Sequence, residues 1–318
     1  MIKIAVVIPC FRVRKHILDV LDHIGPEISS IYVIDDECPE ETGKLVQESS
    51  KDPRVKVLYN PINLGVGGAV IRGYQEAMFD QIDIVVKIDG DGQMDPSLIE
   101  DFVAPIKLGE ADYTKGNRFF DLENINRMPK MRLIGNSLLS FMSKISTGYW
   151  NIFDPNNGYT AIHSGVIKKI AFSRVSNRFF FESDMLFRLN ILKAVVVDIP
   201  MDAKYGDEKS NLSIAQSIGE FCYKHTRNFI KRIFYNYYLR DMSLASFELP
   251  CGLFLLCFGV IYGLYNWYHF SQLNQLTPLG TVMLSALSLL FGLQFILAFL
   301  SYDISSVPRR IIHYRIKV

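Results

Sequence analysis

Between Leu249 and Tyr302 the sequence contains no aspartate, glutamate, lysine or arginine. A run of that length without charge excludes an ordinary solvated surface for this part of the chain. It divides into Leu249–Tyr268 and Pro278–Tyr302 around the polar link HFSQLNQLT. About twenty helical residues cover roughly 30 Å, the thickness of a hydrocarbon core, so each half is read as a transmembrane helix. A soluble hairpin buried in a core would need flanking protein to cover it, and little chain remains for that. The 49% hydrophobic content of the 318 residues is therefore concentrated rather than spread.

Other shortages narrow the field. The five cysteines, Cys10, Cys38, Cys222, Cys251 and Cys257, show no CxxC spacing and no histidine cluster, which excludes a zinc framework and leaves free thiols as the expectation. The opening MIKIAVVIPCF lacks a small-residue cleavage site, so no signal peptide is expected and the catalytic part stays inside the cell. A net charge of +1 gives no general sign of a nucleic-acid partner. Basic residues collect instead beside the apolar run: Lys224, Arg227, Lys231, Arg232 and Arg240 before it, Arg309, Arg310, Arg315 and Lys317 after it, with none in the link. Both termini are then expected on the cytoplasmic face, with anionic membrane lipids as the partner of these charges. Two nucleotide signatures are also missing. No GxxxxGK[ST] occurs, and in NLGVGGAVIRG the third glycine of GxGxxG falls on Val70, so Gly65, Gly67 and Gly68 are not a dinucleotide fingerprint. They suit a helix start that packs close to a sheet or approaches a phosphate.

The first two hundred residues alternate strand and helix patterns. KIAVVIPCF, ISSIYVIDD, VKVLYN and DIVVKIDGDG read as strands; VRKHILDVLDHIG, EETGKLVQESS and GVGGAVIRGYQEAMF read as helices. Apolar strands separated by such helices predict an α/β fold with a mainly parallel sheet covered on both faces. Ligands of such sheets bind beyond the carboxyl ends of the strands, where Asp35, Asp36, Asp89 and Asp91 fall. In VVKIDGDGQMDP, Asp89 and Asp91 are two apart on an extended strand end, so both point one way and can hold a hard cation, Mg²⁺ or Mn²⁺, that bridges to a diphosphate. Taken alone, the same letters also describe a solvated turn.

In their order, VVIPCF, IDDECPE, NLGVGGAVIRGY, KIDGDGQMDP, KGNRF, DPNNGYTA and YGDEKSNL resemble the inverting family 2 glycosyltransferases with the GT-A nucleotide-sugar fold. With the two spans, the chain is similar to the polyprenyl-phosphate branch, which includes bactoprenol glucosyltransferases and dolichol-phosphate mannose synthases. The resemblance covers residues 1 to about 215 by motif. It implies a divalent ion on Asp89 and Asp91; donor contacts from Pro9, Asp35, Asp36, Gly65, Lys87, Asp89 and Gln93; and a late basic loop, Lys209 and Ser210, over the donor phosphates. It implies Asp154 beside the acceptor as base or orienting group, with Arg118, Arg132 and Asn136 holding the lipid phosphate. The sugar implied is a hexose, glucose from UDP-glucose or alternatively mannose from GDP-mannose. Two departures stand out: Arg12-Val13-Arg14-Lys15 replaces the Asn-Glu that many relatives carry, and Lys204 is the nearest cation to an arginine position in the late loop. Glu182 and Asp184 are donor-sugar or structural candidates.

The expected organisation is a catalytic domain over 1–210, juxtamembrane amphipathic helices over 211–246, two spans within 247–302, and a basic cytoplasmic tail over 303–318. Ile214, Ile218, Phe221, Cys222, Phe229, Ile233 and Tyr237 recur at helical spacing among the basic residues, which suits a membrane interface or a helix packed on protein. Partners expected are a nucleotide sugar, a polyprenyl phosphate, a second copy of the chain, and a flippase acting downstream. A processive polysaccharide synthase is excluded by the absence of QxxRW, since tryptophan occurs only at 150 and 267. A non-catalytic binding protein would lose the paired aspartates or the arginines, and both are present.

Overall fold

The computed structural model describes residues 2–120, 130–202 and 214–315, with side chains except at 130–132, 214–218 and 315. The chain forms two compact units, residues 1–229 with 308–318, and residues 230–307.

The first unit is built on a seven-stranded sheet of order β3-β2-β1-β4-β6-β5-β7. The strands are β1 (Ile4–Cys10), β2 (Ser30–Asp35), β3 (Val55–Tyr59), β4 (Ile84–Lys87), β5 (Tyr113–Asn117), β6 (Thr160–His163) and β7 (Val196–Pro200). All neighbours pair in parallel except β6, which runs antiparallel to both β4 and β5. The apolar strands read from the sequence fill the centre: Val6, Ile8, Val33, Val86 and Ile88 are fully buried and pack with Phe102, Val103 and Ile106 of the helix Ile99–Lys107. That continuous burial is why the central strands show no polar alternation. Gly73, on the helix Gly65–Phe79, lets that helix sit on β1, because an added Cβ would lie 2.4 Å from Val7 Cγ1.

The helix Ile214–Phe234 begins in this unit. Phe221 meets Phe180 edge-on at 5.4 Å, His225 Nδ1 lies 2.7 Å from Ser146 Oγ, and Asn228 Nδ2 donates to Asp184 Oδ1 at 3.1 Å. This stretch is thus packed on protein, while Tyr223 and Cys222 are exposed. The segment after residue 308 also returns to the sheet. Asp112 accepts from the amides of Val195, Ile312 and His313 and from His313 Nδ1, and His313 stacks on His163 at 4.3 Å. Burial, and then the neighbouring His313, push the His163 pKa down to about 4.

In the second unit, the helices Ala245–Gln272 and Leu279–Ser305 are each long and apolar enough to cross a membrane. They pack closely where Gly259 meets Leu289 and Gly292 meets Leu256, and Ser285 Oγ donates to the Gly259 carbonyl at 2.8 Å. Arg232, expected among lipid head groups, is instead 2% exposed and forms a double contact with Asp303, at 2.6 and 3.0 Å. Tyr237 donates to the same carboxylate at 2.5 Å. Hydropathy periodicity counts an arginine as outward-facing, whereas a buried partner makes the inward position tenable.

Burial pushes the His225 pKa down to about 4, below the ordinary value of about 6.5. The folded state therefore resists the proton that the unfolded chain accepts. Its stability is intact above pH 6.5 and declines as pH falls toward 4, by up to about 1.4 kcal/mol per unit. His225→Phe should lessen the drop in unfolding midpoint between pH 7 and pH 5; an equal drop in both proteins would remove His225 from this account.

Candidate active site

The reversed strand β6 assembles the site. Because it runs against β4 and β5, the residues preceding it, Asp154–Gly158, arrive beside those that follow β4 and β5. Thr160 pairs with Lys87 on one side and with Lys115 on the other, which sets two buried lysines in one row. Lys87 Nζ lies 2.8 Å from Asp89 Oδ1 and 3.5 Å from Glu182 Oε1. Burial alone would lower its pKa, but the two carboxylates outweigh burial and hold it above the usual lysine range. Lys115 donates to the Asn157 carbonyl. Burial lowers its pKa to about 8, with Glu182 and Asp154 opposing.

Strand β4 ends at Lys87, so Asp89 and Asp91 are brought together by a turn and not by strand alternation. Gly92 takes φ +76° in this turn, and the Gln93 amide donates to Asp91 Oδ1 at 3.0 Å. An added Cβ at Gly158 would lie 2.2 Å from Lys87 Nζ and 2.6 Å from Asp89 Oδ2, so the backbone before β6 is pressed directly against the ion pair. Two partly exposed carboxylates on a tight turn fit a hard divalent cation that takes its remaining oxygens from a diphosphate and water. Among the described residues no group of three or more His, Cys, Asp or Glu could hold a metal alone.

Asp154 and Arg118 form a fork: Nε to Oδ2 at 2.7 Å and Nη2 to Oδ1 at 3.0 Å. Asp154 is nearly sealed, with 3% of its side chain exposed against 25% for Arg118. Both carboxylate oxygens are thus engaged by the guanidinium. Asp198, on β7, accepts at one oxygen from Asn117 Nδ2 at 3.0 Å and from the Phe153 amide at 3.1 Å. Burial raises its pKa to about 6, with the Phe153 amide and Lys115 opposing and Asp154 adding to the rise.

Asp35 and Asp36, expected to contact the donor, carry structural work of their own. Asp35 accepts from the amides of Cys38 and Gly43, at 2.8 and 2.6 Å, and lines an open cleft of about 580 Å³ with Lys44, Tyr59 and Asn60. Asp36 accepts from Asn60 Nδ2 at 2.7 Å, Leu64 N at 2.9 Å and Gly65 N at 2.7 Å. The helix start at Gly65 therefore spends its first amides on Asp36, and Gly68 N donates to the Asn177 carbonyl at 3.1 Å. Gly65 (φ +81°) and Gly67 make room for the loop around Ser176–Arg178. Pro9 is half-buried near the end of β1, next to the same strand ends.

The two candidates in FFFESDMLFRL separate. Glu182 faces Lys87, whereas Asp184 accepts from the Ser176 amide at 2.9 Å and from Asn228, a structural placement. Asn136 is half-buried on the helix Lys130–Thr147. Arg132 is on that helix with its side chain outside the description, and Lys204, Lys209 and Ser210 lie outside the described residues. Sequence reasoning passed over Lys115, Gly158 and Asp198. Lys115 and Gly158 were inside quoted motifs, and Asp198 was the lone charge in the apolar run AVVVDIP.

The profile of glycosyl transferase family 2 matches residues 5–171. The chain is 28% identical over 202 residues to the polyprenol monophosphomannose synthase of Mycolicibacterium smegmatis, covering 62% of this chain and 75% of that protein. It is 26% identical over 216 residues to the UDP-N-acetylglucosamine–dolichyl-phosphate N-acetylglucosaminyltransferase of Methanococcus voltae, covering 64% and 86%. In fold it is similar to glucosyl-3-phosphoglycerate synthase from Mycobacterium tuberculosis, crystallised with Mg²⁺ and UDP, at TM-score 0.55 and 16% identity over 72% of this chain and 79% of that one. The mainly parallel sheet with its reversed strand is a GT-A-like fold. The chain belongs to glycosyl transferase family 2 and is a glycosyltransferase. The family and GT-A fold expected from the motifs are thereby borne out.

Gly158→Ala should leave the fold intact and disturb the Lys87–Asp89 pair. Were Asp89 to hold the divalent ion, support of this kind would be worth roughly 10- to 100-fold in metal affinity or activity. Titrating activity with Mg²⁺ and Mn²⁺ measures it, and an unchanged metal requirement would show that the pair relaxes freely.

Proposed function

We propose that this protein transfers a hexose from a nucleoside-diphosphate sugar to a polyprenyl phosphate at the cytoplasmic face of a membrane, inverting the anomeric centre. One observation carries the reading: the Arg118–Asp154 fork stands at the same sheet end as Asp89 and Asp91, in a chain with two membrane-length helices. The relatives' names, on polyprenol and dolichyl phosphates, support the acceptor class. The donor is glucose from UDP-glucose, with GDP-mannose as the second reading.

Asp89 and Asp91 would hold Mg²⁺ or Mn²⁺, which when bound neutralises charge developing on the leaving diphosphate. Lys87 holds Asp89 in orientation through their 2.8 Å contact. The acceptor phosphate is already largely ionised near pH 7, so attack on the sugar carbon needs little base catalysis. Asp154 then serves to aim Arg118, whose guanidinium charge receives the phosphate jointly with Arg132. Asp35 and the cleft beside it serve the nucleoside, and Lys209 and Ser210 the donor phosphates. Because the membrane-length unit is flanked on both sides by stretches of the catalytic unit, both ends of the hairpin belong on one face, and the flanking lysines and arginines make it the cytoplasmic one.

Asp89→Asn and Asp91→Asn should each abolish divalent-dependent transfer in a panel of nucleotide sugars with undecaprenyl phosphate, with melting unchanged. Full activity in excess chelator would sink the metal assignment. For the acceptor side, Arg118→Ala would strand the buried Asp154 carboxylate, at a cost of about 3–5 kcal/mol, so Arg118→Lys is the cleaner variant. It keeps the charge and loses the fork. Its kcat/KM for the lipid should fall about tenfold or more, the value of roughly one charge-assisted contact, with nucleotide affinity by calorimetry unchanged. Lost nucleotide affinity with normal lipid dependence would reverse the assignment.

A further inference from the structure

The edge strand β7 bears a single ionisable side chain, Asp198, and the reaction outlined above does not use it. Its surroundings are unusual for a carboxylate. One oxygen, Oδ2, receives both Asn117 Nδ2 and the Phe153 amide. The other, Oδ1, is shut off from solvent and takes no hydrogen bond among the described residues. The two donors come from segments far apart in sequence. Asn117 directly precedes Arg118, and Phe153 directly precedes Asp154. Each segment is also fixed separately: Asn117 Oδ1 accepts from the Phe119 amide at 2.9 Å, and Ser140 Oγ of the helix Lys130–Thr147 donates to the Phe153 carbonyl at 2.5 Å.

We infer that Asp198 is a positioning residue: a single carboxylate oxygen draws the ends of β5 and of the loop before β6 together and so sets the Arg118–Asp154 fork in register for the acceptor phosphate. This rests on the acceptor reading of Arg118 given above. The fork needs two side chains from separate segments to meet with two contacts at once, and an error of an ångström would turn the guanidinium away from the phosphate. Asn151 Nδ2 also donates to the Val196 carbonyl of β7 at 3.1 Å, but Asp198 is what joins the Phe153–Asp154 loop to Asn117 at the end of β5.

The charge environment favours a functional account. Lys115 and Lys144 draw the carboxylate toward ionisation, Asp154 opposes it, and burial opposes it most, leaving a pKa of about 6. An ionised group held where burial disfavours it detracts from stability at neutral pH, so its retention is better explained by the geometry it imposes than by stability.

The test uses the purified full-length protein, undecaprenyl phosphate as acceptor and the donor found active in the nucleotide-sugar panel. Asp198→Ala should lower kcat/KM for the lipid about tenfold with nucleotide affinity unchanged. Asp198→Asn keeps an acceptor oxygen and should recover to within about threefold of wild type, which a requirement for charge alone would not allow. In the Arg118→Lys background, Asp198→Ala should cost less than about threefold more, because the fork it serves is already lost. If Arg118→Lys itself leaves the lipid dependence untouched, the acceptor reading fails, whatever Asp198 does. If Arg118→Lys has its effect but Asp198→Ala is near wild type, multiplies independently with it, or is not rescued by asparagine, the positioning role is overturned. Should Asp198→Ala not fold, Asn117→Ala carries the test: a loss of threefold or more on the lipid axis supports the tether, and an unchanged rate overturns it.

Discussion

The site depends on the direction of one strand. Reversing β6 between β4 and β5 makes a loop that precedes a strand meet the segments that follow its neighbours, which a wholly parallel sheet would place at opposite ends. Lys87, Asp89, Arg118, Asp154 and Gly158 come from three stretches spread over some seventy residues, and that reversal alone brings them to one sheet end. The opposite end receives the chain that leaves β6, and there Asp112 and His163 hold the segment around His313.

Charge, more than apolar packing, gives this end of the sheet its shape. Lys87 and Lys115 are buried in one row, and their ammonium groups face Asp89, Glu182 and the Asn157 carbonyl. Asp154 is buried against Arg118 and Asp198 beneath the same loop. Buried pairs add little net stability, because desolvation offsets attraction, but each admits few geometries. A site of this kind is set in place before substrate arrives, with the partly exposed Arg118 guanidinium and the Asp89–Asp91 turn at its surface.

The unit of residues 230–307 follows different rules. Its helices meet at glycines and serines, because in hydrocarbon close backbone approach and not solvent exclusion holds helices together. A strong electrostatic contact, Arg232 with Asp303 and Tyr237, joins the residues after the first unit to the end of the second long helix. Both flanks of the hairpin return to sheet-associated chain, so the catalytic unit is tied to the membrane-length helices at two points in the sequence.

The sequence alone determined whatever depends on local pattern. Apolar runs marked the strands, the uncharged stretch marked the two long helices, and the ordered motifs marked the family, because burial and helix length leave periodic traces along a chain. It also picked out Asp89 and Asp91 by type and spacing, and Arg118 and Asp154 through the family resemblance of their motifs. Tertiary structure decided what those residues do to one another. It paired Asp154 with Arg118, set Asp36 to the amides of Leu64 and Gly65, turned Asp184 away from Glu182, and buried Arg232 against a partner seventy-one residues on. It brought in Asp198, which no local signal connects to residues 117 and 153. A hydropathy pattern records which face of an element is buried; it cannot record which distant charge waits there, because pairing is fixed by strand direction and register and not by the residues on either side.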